Sequence, residues 1–254
     1  MRRLRFGRLR YVVVVSYGRT GSTLLQGVLM SAPHVLIRGE QGGTIAQLQT
    51  WYDELCRHQQ RLNRGGKETN RQHPFYGIIG FKREEALRRL RMLLLETLLR
   101  PASDTRVVGF KEIGWPDDVT PTLLFLRKLL PGVRFVVNTR EDTSVANSGF
   151  WSRRPDALAQ IRRQRENMLA AAQALGGDAQ VVHYDDWVHE PEKLRPLFEW
   201  LDIDFDLDRV AAVMARPHSY DNRSIDHIEK PSDDDRPASP TAETPADHGR
   251  DGGI

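Results

Sequence analysis

A three-layer α/β fold, with a mostly parallel central sheet flanked by helices, is what the sequence predicts. Two observations carry that expectation. Short valine-rich runs alternate along the chain with longer amphipathic segments. Such alternation builds parallel sheets, because parallel neighbours need a crossover segment between them. The first run, residues 11–16 (YVVVVS), is apolar almost throughout rather than every second residue. That pattern marks a strand covered on both faces.

The remaining elements follow in order. Residues 20–31 read as a helix after the first strand. Residues 43–61 and 84–99 read as amphipathic helices, and in the second Leu87, Leu90, Leu94 and Leu98 recur at the spacing of one helix face. Residues 106–111 form a strand. Residues 121–130 form a helix stopped at Pro131-Gly132, where proline cannot continue the hydrogen-bond ladder and glycine accepts the turn. Residues 134–138 are a strand and 143–151 a helix. A long helix over 155–175 ends at Gly176-Gly177. Residues 180–184 are a strand, and 191–201 a helix opened by Pro191, whose missing N–H is no loss in a first turn.

Length, charge and composition bound the rest. A chain of 254 residues makes one large domain or two small ones at ~100–200 residues each. Three segments are expected: a basic lead-in over 1–10, one folded domain over 11–230, and a disordered acidic tail over 231–254. The lead-in holds Arg2, Arg3, Arg5, Arg8 and Arg10. The tail has no aromatic residue and six acids against two bases; it lacks the apolar surface to offset its ordering entropy. The other residues carry 35 bases against 28 acids, a balance that suits an anionic ligand. A nucleic acid is one such ligand, but no recognition motif supports it and the arginines read as a solvated lead-in. No apolar run approaches the ~20 residues of a membrane span, and the run 12–15 is too short for a signal peptide. The lone Cys56 allows no internal disulfide and fits a reducing compartment, so a cytoplasmic location is the default expectation. The eight histidines are scattered with no Cys/His zinc spacing, and Asp233, Asp234 and Asp235 read as solubilising. No metal is expected.

The most informative stretch is VVVVSYGRTGSTLL. A buried strand runs through Tyr17-Gly18-Arg19-Thr20-Gly21-Ser22-Thr23 into a helix. Two glycines let successive N–H groups turn into one concavity. The helix start adds unpaired amides and a partial positive charge. Ser22 and Thr23 add hydroxyls and Arg19 a cation, so the loop suits an oxyanion. The nucleoside-triphosphate loop G-x-x-x-x-G-K-S/T does not fit: Ser22 follows Gly21 where lysine is required, and the preceding glycine is three residues back rather than five. A second cluster follows the strand 134–138. Arg140 stands at the strand's carboxyl end, where ligands of such sheets bind. Ser148 lies eight positions on, about two turns into the next helix, with Ser144 as the alternative. Guanidinium and hydroxyl make a sound phosphate pair.

These motifs resemble those of PAPS-dependent sulfotransferases, a P-loop-like family, nearer its bacterial and carbohydrate-type members than the phenol and steroid type. The resemblance spans roughly residues 11–225. It implies that Arg19, Thr20, Gly21, Ser22 and Thr23 hold the 5′-phosphosulfate end of the donor, and that Arg140 and Ser148 hold its 3′-phosphate. The stretch Val182 to Trp187 with Pro191 is similar to the family's "Y-E-D-L…x-P" segment, which implies that Tyr184 lies near the adenine. The 3′-phosphate would be closed over by a basic loop, with Arg223 as candidate. Three departures stand out. Arg19 replaces the lysine of the phenol and steroid type, the Arg-Lys-Gly form of the closing loop is absent, and the tryptophan that stacks on adenine has no counterpart.

Sulfuryl transfer needs in-line geometry, charge neutralisation and a base for the acceptor's proton. Glu40 is the favoured base: it follows Gly21 by 19 residues, so one helix and one return strand bring it back beside the loop. Glu112, at another strand's carboxyl end, is the competing base, and His34 a third. The alternative role of each carboxylate is an ion pair, Arg38–Glu40 or Lys111–Glu112, that holds a loop. Lys111 and Arg19 are the candidates for stabilising charge on the transferring group. Residues 41–105, with Trp51, Tyr52 and Phe75, and also Trp115, are expected to build the acceptor pocket, although Trp51 and Tyr52 equally fit core packing. Asn63-Arg64-Gly65-Gly66-Lys67 reads as a loop over the site. The expected function is sulfuryl transfer from PAPS as co-substrate to a hydroxyl of a carbohydrate, lipid or small natural product. The rival readings are a P-loop kinase using ATP and a non-catalytic nucleotide-binding protein. Oligomeric state is not legible.

Deleting residues 231–254 is expected to leave the melting temperature unchanged within error. A fall of several degrees by differential scanning calorimetry would place the tail in the fold.

Overall fold

The valine run becomes the middle strand of a five-stranded sheet. The computed structural model describes residues 9–65 and 70–216. The strands are β1 (Arg10–Val15), β2 (Val35–Arg38), β3 (Val107–Glu112), β4 (Arg134–Thr139) and β5 (Ala179–His183). Their order is β2-β3-β1-β4-β5, and every adjacent pair is parallel. Valine's branched Cβ suits this pleated, two-sided setting.

Side chains alternate across a strand, so β1 feeds two cores. Tyr11, Val13 and Val15 join the core formed by α2 (Thr44–Arg64), α3 (Arg83–Leu93), α4 (Thr120–Leu129) and α6 (Ala157–Leu175). Val12 and Val14 join the other, under α1 (Ser22–Leu29), α8 (Arg195–Leu201) and α9 (Leu207–Met214). Two short helices complete the fold, α5 (Asp142–Ala146) and α7 (Tyr184–Trp187). The ladder sets Val14 beside Lys111 and Val15 beside Glu112. Lys111 therefore shares the face covered by α1, and Glu112 the opposite face. Among the described residues no helix is long and apolar enough to cross a membrane.

Several expected boundaries shift, each for a physical reason. The sheet begins at Arg10, not after it: its guanidinium bonds the carbonyl of Asp202 at 2.6 Å and pairs with the Asp202 carboxylate, so Arg10 belongs to the fold rather than the lead-in. The helix expected over 84–99 becomes α3 followed by a π-helical turn, Leu94–Leu99. The wider turn shifts the buried positions to Leu94, Leu95 and Leu99. The helix expected over 143–151 breaks: α5 stops at Ala146, Ser148 is extended, and a 3₁₀ turn covers Gly149–Arg153. The break lets the Trp151 indole turn inward and donate to the carbonyl of Gly18 at 3.1 Å. The helix expected over 191–201 divides into a 3₁₀ turn and α8. The last strand ends one residue early, and Tyr184 opens α7.

Leu126 on α4 is fully buried in the first core. Leu126→Ala is expected to cost ~2–5 kcal/mol through lost burial and the cavity it leaves, read as a lower urea midpoint at unchanged slope.

Candidate active site

The strand order creates a crevice between β1 and β4. The helix after β1 packs on one face of the sheet and the helix α6 after β4 on the other. Loops that leave in opposite directions open a gap at the carboxyl ends, where open α/β sheets bind ligands. The glycine loop with Arg19 and the Arg140–Ser148 pair both lie there.

The loop after β1 is held from inside. Thr20 is wholly buried, and its hydroxyl donates to the carbonyl of Tyr17 at 3.1 Å. The Asn138 carboxamide donates to the Thr20 carbonyl at 2.9 Å and to its hydroxyl at 3.1 Å. Ser16 pairs with the same hydroxyl and donates to the Asn138 carbonyl at 3.0 Å. Gly21 takes a left-handed φ of +79°, and a Cβ there would run into the Tyr184 ring. Among the described residues, the backbone N–H groups of residues 20–24 have no hydrogen-bond partner. They lie at the start of α1, where the helix dipole favours an anion. The hydroxyls of Ser22 and Thr23 also bond no other described group. The Thr20 hydroxyl is spent on the core.

Arg140 and Ser148 come to the same place. Arg19, itself left-handed with φ 72°, donates from Nε to Ser148 Oγ at 3.1 Å. Arg140 Nη1 donates to the Arg19 carbonyl at 3.3 Å. The Arg140 guanidinium lies over the Tyr184 ring, 4.6 Å from its centroid. Its Nε is buried without a hydrogen-bond partner, and Asp185 Oδ1 stands 3.8 Å away. A buried, unpaired guanidinium N–H is costly unless an acceptor meets it, which fits an anion at this point. Tyr17 accepts from the Arg140 amide at 3.4 Å. Burial pushes its phenol up to about 12, which keeps it neutral and unsuited as a base.

Glu40 and Lys111 pair directly, Nζ to Oε1. The lysine side chain is 4% exposed and the glutamate side chain 43%, so the pair runs from the interior to the open crevice. Neither expected local ion pair forms. Lys111 and Glu112 are neighbours on one strand and point to opposite faces. Arg38 turns instead to the carbonyls of Leu99 at 2.8 Å and Arg100 at 3.2 Å. Glu112, 1% exposed, accepts four backbone amides: Gln41 at 2.9 Å, Gly43 at 3.1 Å, and Ile113 and Gly114 at 2.8 Å each.

The other expected residues divide. His34 precedes β2, at the amino end of the sheet, with Asp104 at 3.3 Å; a strand's length from the crevice, it cannot serve as a base there. Ser144 lies in α5, its amide donating to the capping Glu141 carboxylate, and gives way to Ser148, the one that meets Arg19. Tyr52 is a core residue against Phe125, ring centroids 5.6 Å apart, and Trp115 donates to the Glu112 carbonyl at 2.9 Å. Trp51 and Phe75 are about half exposed. Asn63 and Arg64 end α2 rather than form a loop. Gly66, Lys67, Arg223 and the tail lie outside the described residues. Ser16, Asn138 and Trp151 were not singled out from the sequence, since each acts through contacts with distant backbone.

A model of the sulfotransferase family matches residues 12–207. The chain belongs to the sulfotransferase family. No curated protein sequence matches it. Among solved structures, the sulfotransferase domain from the olefin synthase of Synechococcus PCC 7002 is similar over 87% of this chain and 81% of that one, at 16% identity and a TM-score of 0.50. The sulfotransferase domain from the curacin biosynthetic pathway is similar over 85% and 80%, at 14% identity and 0.46. Sulfotransferase STF1 from Mycobacterium tuberculosis H37Rv is similar over 85% and 73%, at 15% and 0.44. At such identities the likeness concerns the fold.

The Glu141 carboxylate caps α5, accepting from the amides of Thr143 at 2.9 Å and Ser144 at 2.6 Å. The Thr143 hydroxyl first, and then these amides, lower it from an ordinary 4.5 to about 2. A lowered carboxylate contributes stability above its unfolded value and loses it as the pH falls through its folded value. The stability difference between the protein and Glu141→Ala should therefore be full above pH 4.5 and shrink as the pH drops toward 2. Urea melts across that range test this, and a constant difference would show that the cap does not act through its charge.

Proposed function

We propose that this sulfotransferase moves a sulfuryl group from PAPS to a hydroxyl of a carbohydrate, lipid or small natural product. The observation that carries the reading is the convergence of Arg19, Arg140 and Ser148 at the β1–β4 crevice, beside a row of unpartnered amides. One phosphate-sized anion suits the loop and helix start, and a second suits Arg140 and Ser148. A donor with phosphate groups on both its 5′ and 3′ positions matches that pair of sites better than ATP does.

In this reading the amides of residues 20–24, the hydroxyls of Ser22 and Thr23, and Arg19 hold the 5′-phosphosulfate. Arg140 and Ser148 hold the 3′-phosphate, and Tyr184 borders the adenine. PAPS supplies an activated sulfuryl group on a phosphate leaving group. Glu40 Oε takes the proton from the acceptor hydroxyl as its oxygen bonds sulfur and the bond between sulfur and the bridging oxygen breaks. Lys111 fixes the direction of the Glu40 carboxylate. Its ammonium, with Arg19 and the loop amides, neutralises charge that builds on the leaving oxygen; one such donor is commonly worth ~10²–10³ in rate. Glu112 is set aside as the base. Its two oxygens offer about four acceptor sites, and four amides fill them. Among the described residues no three His, Cys, Asp or Glu side chains group as a metal set.

The test is a thermal-shift titration with PAP, the donor's product, against ADP and ATP–Mg2+. A ligand that binds only the folded state stabilises it by ~2.7 kcal/mol at a hundredfold excess over Kd. PAP is expected to raise the melting point clearly and ADP little, and Arg140→Ala to abolish most of the PAP shift. A shift with ATP–Mg2+ and none with PAP would replace this reading with the kinase one. Turnover is then read as PAP release from PAPS with a panel of a sugar, a phenol and a fatty alcohol. Glu40→Gln should lower it by ~10²-fold or more while the PAP shift stays.

A further inference from the structure

Glu40 is flanked by glycine: Gly39 precedes it, and Gly42 and Gly43 follow after Gln41. Glycine loses more conformational freedom on ordering than any other residue. Such a segment has no local means of holding one carboxylate at hydrogen-bond accuracy, and a base must sit within about 2.6–3.2 Å of the atom whose proton it takes. Rigidity must come from elsewhere in the fold, and two residues outside the reacting groups supply it.

Upstream, Arg38 ends β2 and its guanidinium forks onto the carbonyls of Leu99 and Arg100. These carbonyls are exposed for capping where the π-helical turn ends: Arg100 is left-handed with φ 42°, and Pro101 brings no N–H of its own. Downstream, Glu112 takes the amides of Gln41 and Gly43 on Oε2, and those of Ile113 and Gly114 on Oε1. The two backbones are drawn so close that a Cβ on Gly43 would collide with the Gly114 carbonyl. Gly43 also needs its glycine for a φ of +71°. Only Gly39 and Glu40 lie between the two anchors. Every anchoring bond to this segment spans 61 to 71 residues of chain.

We propose that Arg38 and Glu112 are positioning residues, a clasp on either side of Glu40 that holds its carboxylate toward the acceptor. This rests on the reading of Glu40 as the base. Neither residue touches the reacting atoms. Both act by fixing the backbone from which Glu40 projects, and Lys111 then selects the direction of the carboxylate.

Glu112→Gln keeps the shape but presents an NH2 to amides that need an acceptor, and Arg38→Lys keeps the charge but loses the fork. Three measurements test the clasp on the full chain. Amide exchange at Gln41 and Gly43 is expected to speed up at least tenfold in Glu112→Gln. Turnover with the fastest alcohol of the panel is expected to fall at least tenfold in either variant, with the KM for PAPS and the PAP thermal shift changed less than threefold. Added to Glu40→Gln, either substitution is expected to cost less than a further twofold, because a residue that acts through Glu40 has nothing left to position. Losses that multiply in the double variants, or unchanged exchange at Gln41 and Gly43, would overturn the clasp. If Glu112→Gln does not fold, Arg38→Lys decides the matter by the same rate comparison. Full turnover in Glu40→Gln would instead overturn the assignment of the base, while the exchange rates still report whether the segment is clasped.

Discussion

The Asn138 carboxamide, wholly buried near the end of β4, donates to both the carbonyl and the hydroxyl of Thr20, 118 residues earlier. The arrangement of the loop after β1 depends on this contact. Without it, the Thr20 carbonyl and hydroxyl would lose their buried donor, a penalty of about 1–3 kcal/mol per group. With it, the polar atoms of the loop's inner side are satisfied by Ser16, Tyr17 and Asn138, while the amides of residues 20–24 bond no other described group. The loop's unpartnered amides are therefore a consequence of how its opposite side is bonded.

That contact also joins the two strands whose loops form the site. The helices after β1 and β4 pack on opposite faces, so the loops part and each carries an arginine to the gap from its own side. Two guanidinium groups do not approach one another without acceptors between them. Ser148 Oγ and the Arg19 carbonyl supply some, while the Nε of Arg140 stays buried without a hydrogen-bond partner. Trp151 secures the arrangement from the far side by its bond to the Gly18 carbonyl, which is why the helix leading to Ser148 has to break.

The opposite wall is built by a different logic. A strand points consecutive side chains to opposite faces. Lys111 and Glu112 are adjacent in sequence and divided by the sheet: one reaches Glu40 from below, the other ties down the chain on which Glu40 sits. A pairing of Lys111 with Glu112, natural to suppose from adjacency, is excluded by the pleat alone once both residues are placed in β3.

Features that depend on near neighbours are legible in the sequence. A run of valines makes a buried strand wherever it lies. Glycines between a strand and a helix make an anion loop, and an arginine closing a strand faces the ligand side of a parallel sheet. These signals are local, so they placed Arg19, Gly21 and Arg140 correctly at strand–helix junctions. Tertiary structure decided what depends on distant backbone. It turned Thr20 inward onto Asn138 and broke the helix before Gly149 so that Trp151 could reach Gly18. It carried Arg38 to Leu99 instead of Glu40, and filled Glu112 with four amides. Hydrogen bonds spanning 61 to 133 residues of chain leave no periodicity and no motif, because, the Thr20 hydroxyl aside, the partners are backbone groups that any residue would supply.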